Sequence, residues 1–144
     1  IKDAKGKLLK YGRDFKLIYD KNCKSIGTHK VKVIFTGNRY RGTKILKYVI
    51  KPAAVSLKKI TVKKKSFSLS WRKNKNISGY EVQYGTDKNF KKSSKKFVSK
   101  NKTNITVKNL KSGRKYYIRI RDYKSVNGKK IYSSWSKTQI ITEV

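Results

Sequence analysis

Asn109–Arg121 reads NLKSGRKYYIRIR. A polar turn with Gly113 leads into a run in which Tyr116, Ile118 and Ile120 alternate with Tyr117, Arg119 and Arg121. Successive side chains of a strand point to opposite faces, so this period of two predicts one apolar face turned to a core and one aromatic, basic face turned to solvent. The same alternation recurs on both sides of it. SFSLSW places Phe67, Leu69 and Trp71 on one face, and GYEVQYG does so with Tyr80, Val82 and Tyr84. KKFVS, TNITVKNL and WSKTQIITE follow the pattern, which gives about seven short strands joined by polar loops over some ninety residues. That spacing predicts a β-sandwich.

Upstream, DFKLIYD aligns Phe15, Leu17 and Tyr19, HKVKVIF aligns Val31, Val33 and Phe35, and KILKYVIK aligns Leu46, Tyr48 and Ile50. Turn-forming stretches, KNCKSIG and TGNRYRG, separate them, so an antiparallel unit of at least three strands is predicted. Pro52 is the only proline. It cannot donate to a ladder, and it marks the expected junction near residues 51–55, with domains at 1–52 and 53–144. The fold class is therefore all-β: two small immunoglobulin-like antiparallel sandwiches in tandem, the first truncated.

The 144 residues carry 40 Lys+Arg against 7 Asp+Glu, a formal charge of +33, with Lys outnumbering Arg 33 to 7. Such a surface attracts polyanions. Lysine supplies diffuse point charges, whereas bidentate reading of bases and phosphates favours arginine. Hydrophobic residues make up 36%, enough for a core, and no run approaches the roughly 18 to 20 apolar residues of a membrane span. Methionine is absent altogether, consistent with an internal piece of a longer multidomain chain. Cys23 stands alone in a polar loop, which excludes an internal disulfide and a cysteine-based metal site.

Several residues carry a family resemblance. Trp71, then Tyr80-x-Val82-x-Tyr84, then Leu110, Gly113 and Tyr116 are spaced like the core positions of a fibronectin type III domain, and the likeness covers residues 54 to 144. It implies that Tyr116 is a corner tyrosine whose ring packs the core while its hydroxyl satisfies a backbone group at the turn. Asp122, at the last inward position of its strand, departs from the pattern. In the first segment, Gly6-Lys7-x-Leu9, Gly12-x-Asp14-Phe15, Gly27-Thr28 and Gly37-Asn38-x-Tyr40-x-Gly42-Thr43 resemble the C-terminal part of a bacterial immunoglobulin-like repeat of Gram-positive surface proteins. There His29 replaces a typically small residue. These resemblances imply a non-catalytic, extracellular or cell-wall-attached module that serves as a spacer or in adhesion.

Catalytic constellations are not indicated. The only histidine, His29, is about 100 residues from the serines of YSSWSK (132–137), and no G-x-S-x-G elbow is present. Asp14 and Asp20 flank one strand about 20 Å apart at roughly 3.3 Å per residue. Glu81 and Asp122 approach each other only if their strands are neighbours, and ion pairing is their expected role. No cofactor or metal is implied. The Asn76, Asn101 and Asn104 sequons are expected to be idle in a bacterial protein.

The candidate polyanion contacts are Lys63, Lys64 and Lys65, and the KKSSKK run with Lys91, Lys92, Lys95 and Lys96; Lys129-Lys130 forms a smaller cluster. Anionic wall polymers or host glycans are the expected partners and nucleic acid a less favoured one, since most aromatics fall on inward positions. An alternative role for the lysines is to keep exposed sheet edges from pairing. Alternative functions are a nucleic-acid- or heparin-binding protein and an accessory module of a wall hydrolase or glycosidase. Tyr117, Tyr123 and Tyr132 are expected on the surface. YSSWSK resembles the Trp-Ser repeats of cytokine-receptor fibronectin domains, and Trp135 is predicted to stack on Arg119, Arg121 or both.

Overall fold

A computed structural model describes residues 1–142. Among them are eleven strands and no helix, divided into two units, Ile1–Ile50 and one that begins at Lys51.

The first unit is a three-stranded antiparallel meander of β1 (Phe15–Tyr19), β2 (Gly27–Phe35) and β3 (Gly42–Ile50). The register sets Leu17 opposite Val33 and Val33 opposite Lys44. Phe15 and Val33 are buried, but the single sheet leaves Ile18, Ile45, Leu46 and Val49 exposed. Carboxylates fasten the segment ahead of β1. Tyr40 Oη donates to Asp3 Oδ2 at 2.6 Å, and Arg13 donates to both oxygens of Asp14. The Arg13 guanidinium and the Lys10 amide hold the Asp14 pKa down at about 2. His29 is buried, with Nε2 2.7 Å from Ser25 O and its ring tilted on Tyr48.

The second unit is a sandwich. One sheet runs β4 (Leu57–Lys63), β5 (Ser66–Trp71) and β8 (Asn104–Lys108). The other runs β10 (Lys129–Tyr132), β9 (Lys115–Val126), β6 (Gly79–Gly85) and β7 (Ser94–Ser99), with β11 (Gln139–Thr142) also on β9. Between them lie Phe67, Leu69 and Trp71 from β5, Tyr80 and Val82 from β6, and Ile118 and Ile120 from β9, each at most 1% exposed. Full burial of such a side chain contributes about 1.5–3 kcal/mol. Trp71 meets Tyr80 edge to face at 5.1 Å, while Tyr84 is partly buried against the same core beside Phe67. Leu110 closes the end, its amide donating to Lys65 O, and Tyr116 Oη accepts the Lys111 amide at 3.0 Å.

Two features depart from the sequence reading. A bulge between Leu57 and Lys59 puts Leu57 out of phase with Ile60 and Val62, so this edge strand shows only a short alternating run in the sequence. The last strand is split into β10 and β11. Asn127 and Gly128, with φ of 49° and 76°, form the tight turn from β9 into β10, and the chain then leaves regular pairing over 133–138.

Candidate functional site

The strand register gives β9 an inner and an outer face. Ile118, Ile120 and Asp122 point inward, while Arg119, Arg121 and Tyr123 point outward beside Gln83, Glu81 and Gly79 of β6. A chain of alternating rings and cations crosses this outer face. Arg119 Cζ lies 4.0 Å from the Phe90 ring centre and 4.3 Å from that of Trp135. Arg121 Cζ lies 4.1 Å from Trp135 and 3.6 Å from Tyr132. Tyr132 leads to Tyr123, and Lys130 Nζ sits 4.1 Å from Phe97 and 4.6 Å from Tyr123. Trp135 thus stacks on both guanidinium groups. Phe90, which the sequence pattern did not single out, enters because a left-handed turn (φ 57°) folds it back onto the sheet. Tyr123 and Tyr132 are half-buried in this stack rather than free on the surface. Tyr117 is half-buried as well.

Polar groups lock the cations from below. Arg119 Nε donates to Gln83 Oε1 at 2.9 Å, and Gln83 Nε2 donates to Ser93 Oγ. Burial and the neighbouring Arg121 charge lower the Arg119 pKa. Arg121 Nε and an Nη both donate to Glu81 Oε2, at 3.0 and 2.9 Å, and Lys95 Nζ is 3.3 Å from Oε1. Glu81 is 1% exposed, and among the described residues Arg121 and Lys95 are the cations that pair with it.

Glu81 and Asp122 do not meet, although their strands are neighbours. The register pairs Glu81 with Arg121 and Asp122 with Tyr80, on opposite faces of the sheet. Asp122 is fully buried and accepts from Asn74 Nδ2 at 2.6 Å, while its Oδ1 has no hydrogen-bond partner among the described residues. Loss of solvent raises its pKa.

The serines of YSSWSK complete the ladder. Ser133 Oγ accepts the Asp122 amide at 3.0 Å, and Ser136 Oγ accepts the Ile120 amide at 3.1 Å. The Ser133 and Ser136 amides donate back to the Asp122 and Ile120 carbonyls. Side-chain oxygens therefore stand in for backbone acceptors where the strand is interrupted.

The lysine clusters scatter. Lys63 ends β4, and Lys64 and Lys65 form the turn into β5. The KKSSKK run is spread over a turn and both faces of β7. The Lys91 amide is bound by Asp87 Oδ2, Lys95 is paired with Glu81 and Lys96 lies on the opposite face, in register with Val82. Lys92 lines a separate cleft with Lys108 and Lys111. Among the described residues, no three His, Cys, Asp or Glu side chains gather as a metal-binding group.

A family model described as "Fibronectin type III domain" matches residues 50–139. Among solved structures, the chicken CNTN1 FN1-FN3 domains superpose with a TM-score of 0.56 at 21% identity, over 87% of this chain and 45% of that one. This chain therefore spans less than half the length of that structure. The fn3 domain of human collagen alpha-1(XX) chain superposes with a TM-score of 0.53 at 13% identity, over 67% of this chain and 89% of that one. Both likenesses speak to the fold alone. No curated protein matches the sequence. With the matched residues spanning most of its length and carrying the sandwich, the chain belongs to the fibronectin type III family.

Proposed function

We propose that this chain is a non-catalytic structural and adhesive module of a secreted or surface-attached bacterial protein, and that its lysine-rich surface contacts anionic wall polymers or glycans. In this reading the first unit is the C-terminal part of a bacterial immunoglobulin-like repeat. Fibronectin type III domains are generic structural and binding modules, which supports the first half of the reading. No helix among the described residues is long and apolar enough to cross a membrane.

The second half rests on one observation, the fate of the carboxylates. Residues 51–144 hold 26 of the 40 basic residues and four of the seven acidic ones. Of those four, Glu81 and Asp122 are buried, Asp87 is spent capping the Asn89 and Lys91 amides, and Glu143 lies outside the described residues. The exposed lysines of this unit thus face solvent with little to neutralise them. Diffuse lysine charge suits flexible polyanions better than base-specific reading.

The test is binding of the 144-residue protein to a polyol-phosphate polymer, to heparin and to duplex DNA across a salt series. Binding to the polymer or to heparin at about 0.15 M salt, weakening as salt rises, is expected. Binding to none of the three overturns the polyanion half of the reading and leaves a spacer. Tighter binding to DNA than to either glycan-type polymer makes nucleic acid the partner.

A further inference from the structure

Four lysines that are scattered in sequence converge at one end of the sandwich. Lys73 and Lys75 come from the loop between β5 and β6, Lys100 from the loop between β7 and β8, and Lys124 from β9. They line a cleft of about 430 Å³ together with Asn76 and Asn101. This volume falls within the range of small-ligand sites, about 300–1,000 Å³.

The fold directs them there. Lys124 has the same strand parity as Ile118, Ile120 and Asp122, and so continues the inward face of β9 past the end of the core, where it is half-buried. Asn76 adopts φ 59°, a turn that sends Ile77 into the core at 5% exposure and leaves Lys75 and Asn76 outside. Asn74 anchors the loop, its Nδ2 donating both to Ala53 O and to Asp122 Oδ2. None of the four lysines pairs with a carboxylate among the described residues. The one carboxyl joined to the lining, Asp122, is buried beneath Asn74 and fully screened from solvent.

We propose that this cleft is the seat for a phosphate or sulfate ester on a polyhydroxylated chain, which the four ammonium groups hold by charge while the Asn76 and Asn101 amides meet the hydroxyls. Each amide offers donors and an acceptor, as hydroxyl groups require. Among the described residues, no aromatic ring and no arginine lines the cleft, which disfavours stacked bases and bidentate phosphate reading. The proposal rests on the polyanion reading above and gives it a location away from both lysine runs visible in the sequence.

Two double variants test it, each removing two exposed charges: Lys75→Gln/Lys100→Gln in the cleft, and Lys63→Gln/Lys64→Gln in the run between β4 and β5. Affinities for a polyol-phosphate chain, a heparin fragment and duplex DNA are compared with the unaltered protein, with far-UV circular dichroism confirming the fold. The cleft variant is expected to bind about tenfold more weakly, since charge-assisted hydrogen bonds are the strong ones, and the control at most about twofold. Loss confined to the phosphate chain or to heparin identifies which ester the cleft takes. Equal losses in the two variants overturn the cleft and leave diffuse attraction. Failure of the unaltered protein to bind either polymer removes the underlying reading as well. A larger loss for DNA than for both polymers overturns the glycan assignment.

Discussion

Trp135 lies with its ring 4.1 Å from the Arg121 Cζ, and Arg121 in turn covers Tyr132 at 3.6 Å. The indole belongs to a segment outside regular pairing, so its ring contacts, with the Ser133 and Ser136 bonds, hold 133–138 against β9. Each cation–π contact at a partly exposed site contributes about 0.5–1 kcal/mol. Trp135 makes two, and it also covers apolar stems. Trp135→Ala is expected to destabilise the second unit by about 2 kcal/mol. Urea denaturation followed through the fluorescence of buried Trp71 measures this, and a change under about 0.3 kcal/mol would mean that the stack contributes nothing.

Glu81 supplies the charge that fixes Arg121. Truncating one member of a buried pair costs about 3–5 kcal/mol, but Arg121 keeps 20% of its side chain in water and Lys95 keeps 50%. Both cations thus recover some hydration. Glu81→Ala is expected to cost about 2 kcal/mol, and Glu81→Leu combined with Arg121→Met to cost less than Glu81→Ala alone. A double variant less stable than Glu81→Ala would show that the pair stabilises the sheet by more than its desolvation removes.

The inward carboxyl of Asp122 sets a pH dependence of definite sign. Burial raises its folded pKa above the ordinary value of 3.8. The folded state then binds more protons than the unfolded one, so the stability that Asp122 contributes is full below 3.8 and is lost as pH rises through the folded pKa. Asp87 works the other way, because the Asn89 and Lys91 amides lower its pKa; its contribution is lost only as pH falls below 3.8. The two windows do not overlap. Asp122→Asn is expected to flatten the decline in stability above pH 4, while its carbonyl still accepts from Asn74. Unfolding free energies of both proteins from pH 4 to 7 check this, and identical slopes would refute it.

Much of this arrangement is legible in the sequence. Period-two runs gave β5, β6 and β9 with their inward faces, because each buries one side against a full opposing sheet. The outward parity of Arg119 and Arg121 likewise placed them beside Trp135. β4 was not legible, since the bulge after Leu57 leaves only Ile60 and Val62 in phase, too short a run to stand out. The separation of Glu81 from Asp122 follows from parity: Asp122 shares the inward positions of Ile118 and Ile120, while Glu81 alternates with the inward Tyr80 and Val82, so adjacency of the two strands does not bring the carboxyls together. The cleft is the clearest case. Lys73, Lys100 and Lys124 are far apart in the chain, and only the return of successive strands to one end of the sandwich joins them. Conversely, KKSSKK looks like a cluster and is dispersed by the turn at Asp87 and by strand alternation.

Gly85 makes a close approach that no side chain tolerates. A Cβ there would sit 2.6 Å from Lys92 O and 3.1 Å from Ser93 Cα, both backbone atoms of the strand-to-strand return. Gly128 is constrained differently: its φ is 76°, and a Cβ there would meet no atom of the described residues within 4 Å. Gly128→Ala therefore costs only the left-handed conformation, about 1–2 kcal/mol. Gly85→Ala must displace backbone that also positions Ser93 against Gln83, and so disturbs the support beneath Arg119. Its expected cost is about 3 kcal/mol, at the upper end for overpacking. Thermal midpoints of the two variants decide the matter. Gly85→Ala is expected to melt several degrees below Gly128→Ala, and the reverse order would show that the β6–β7 connection yields more readily than the turn at Asn127-Gly128.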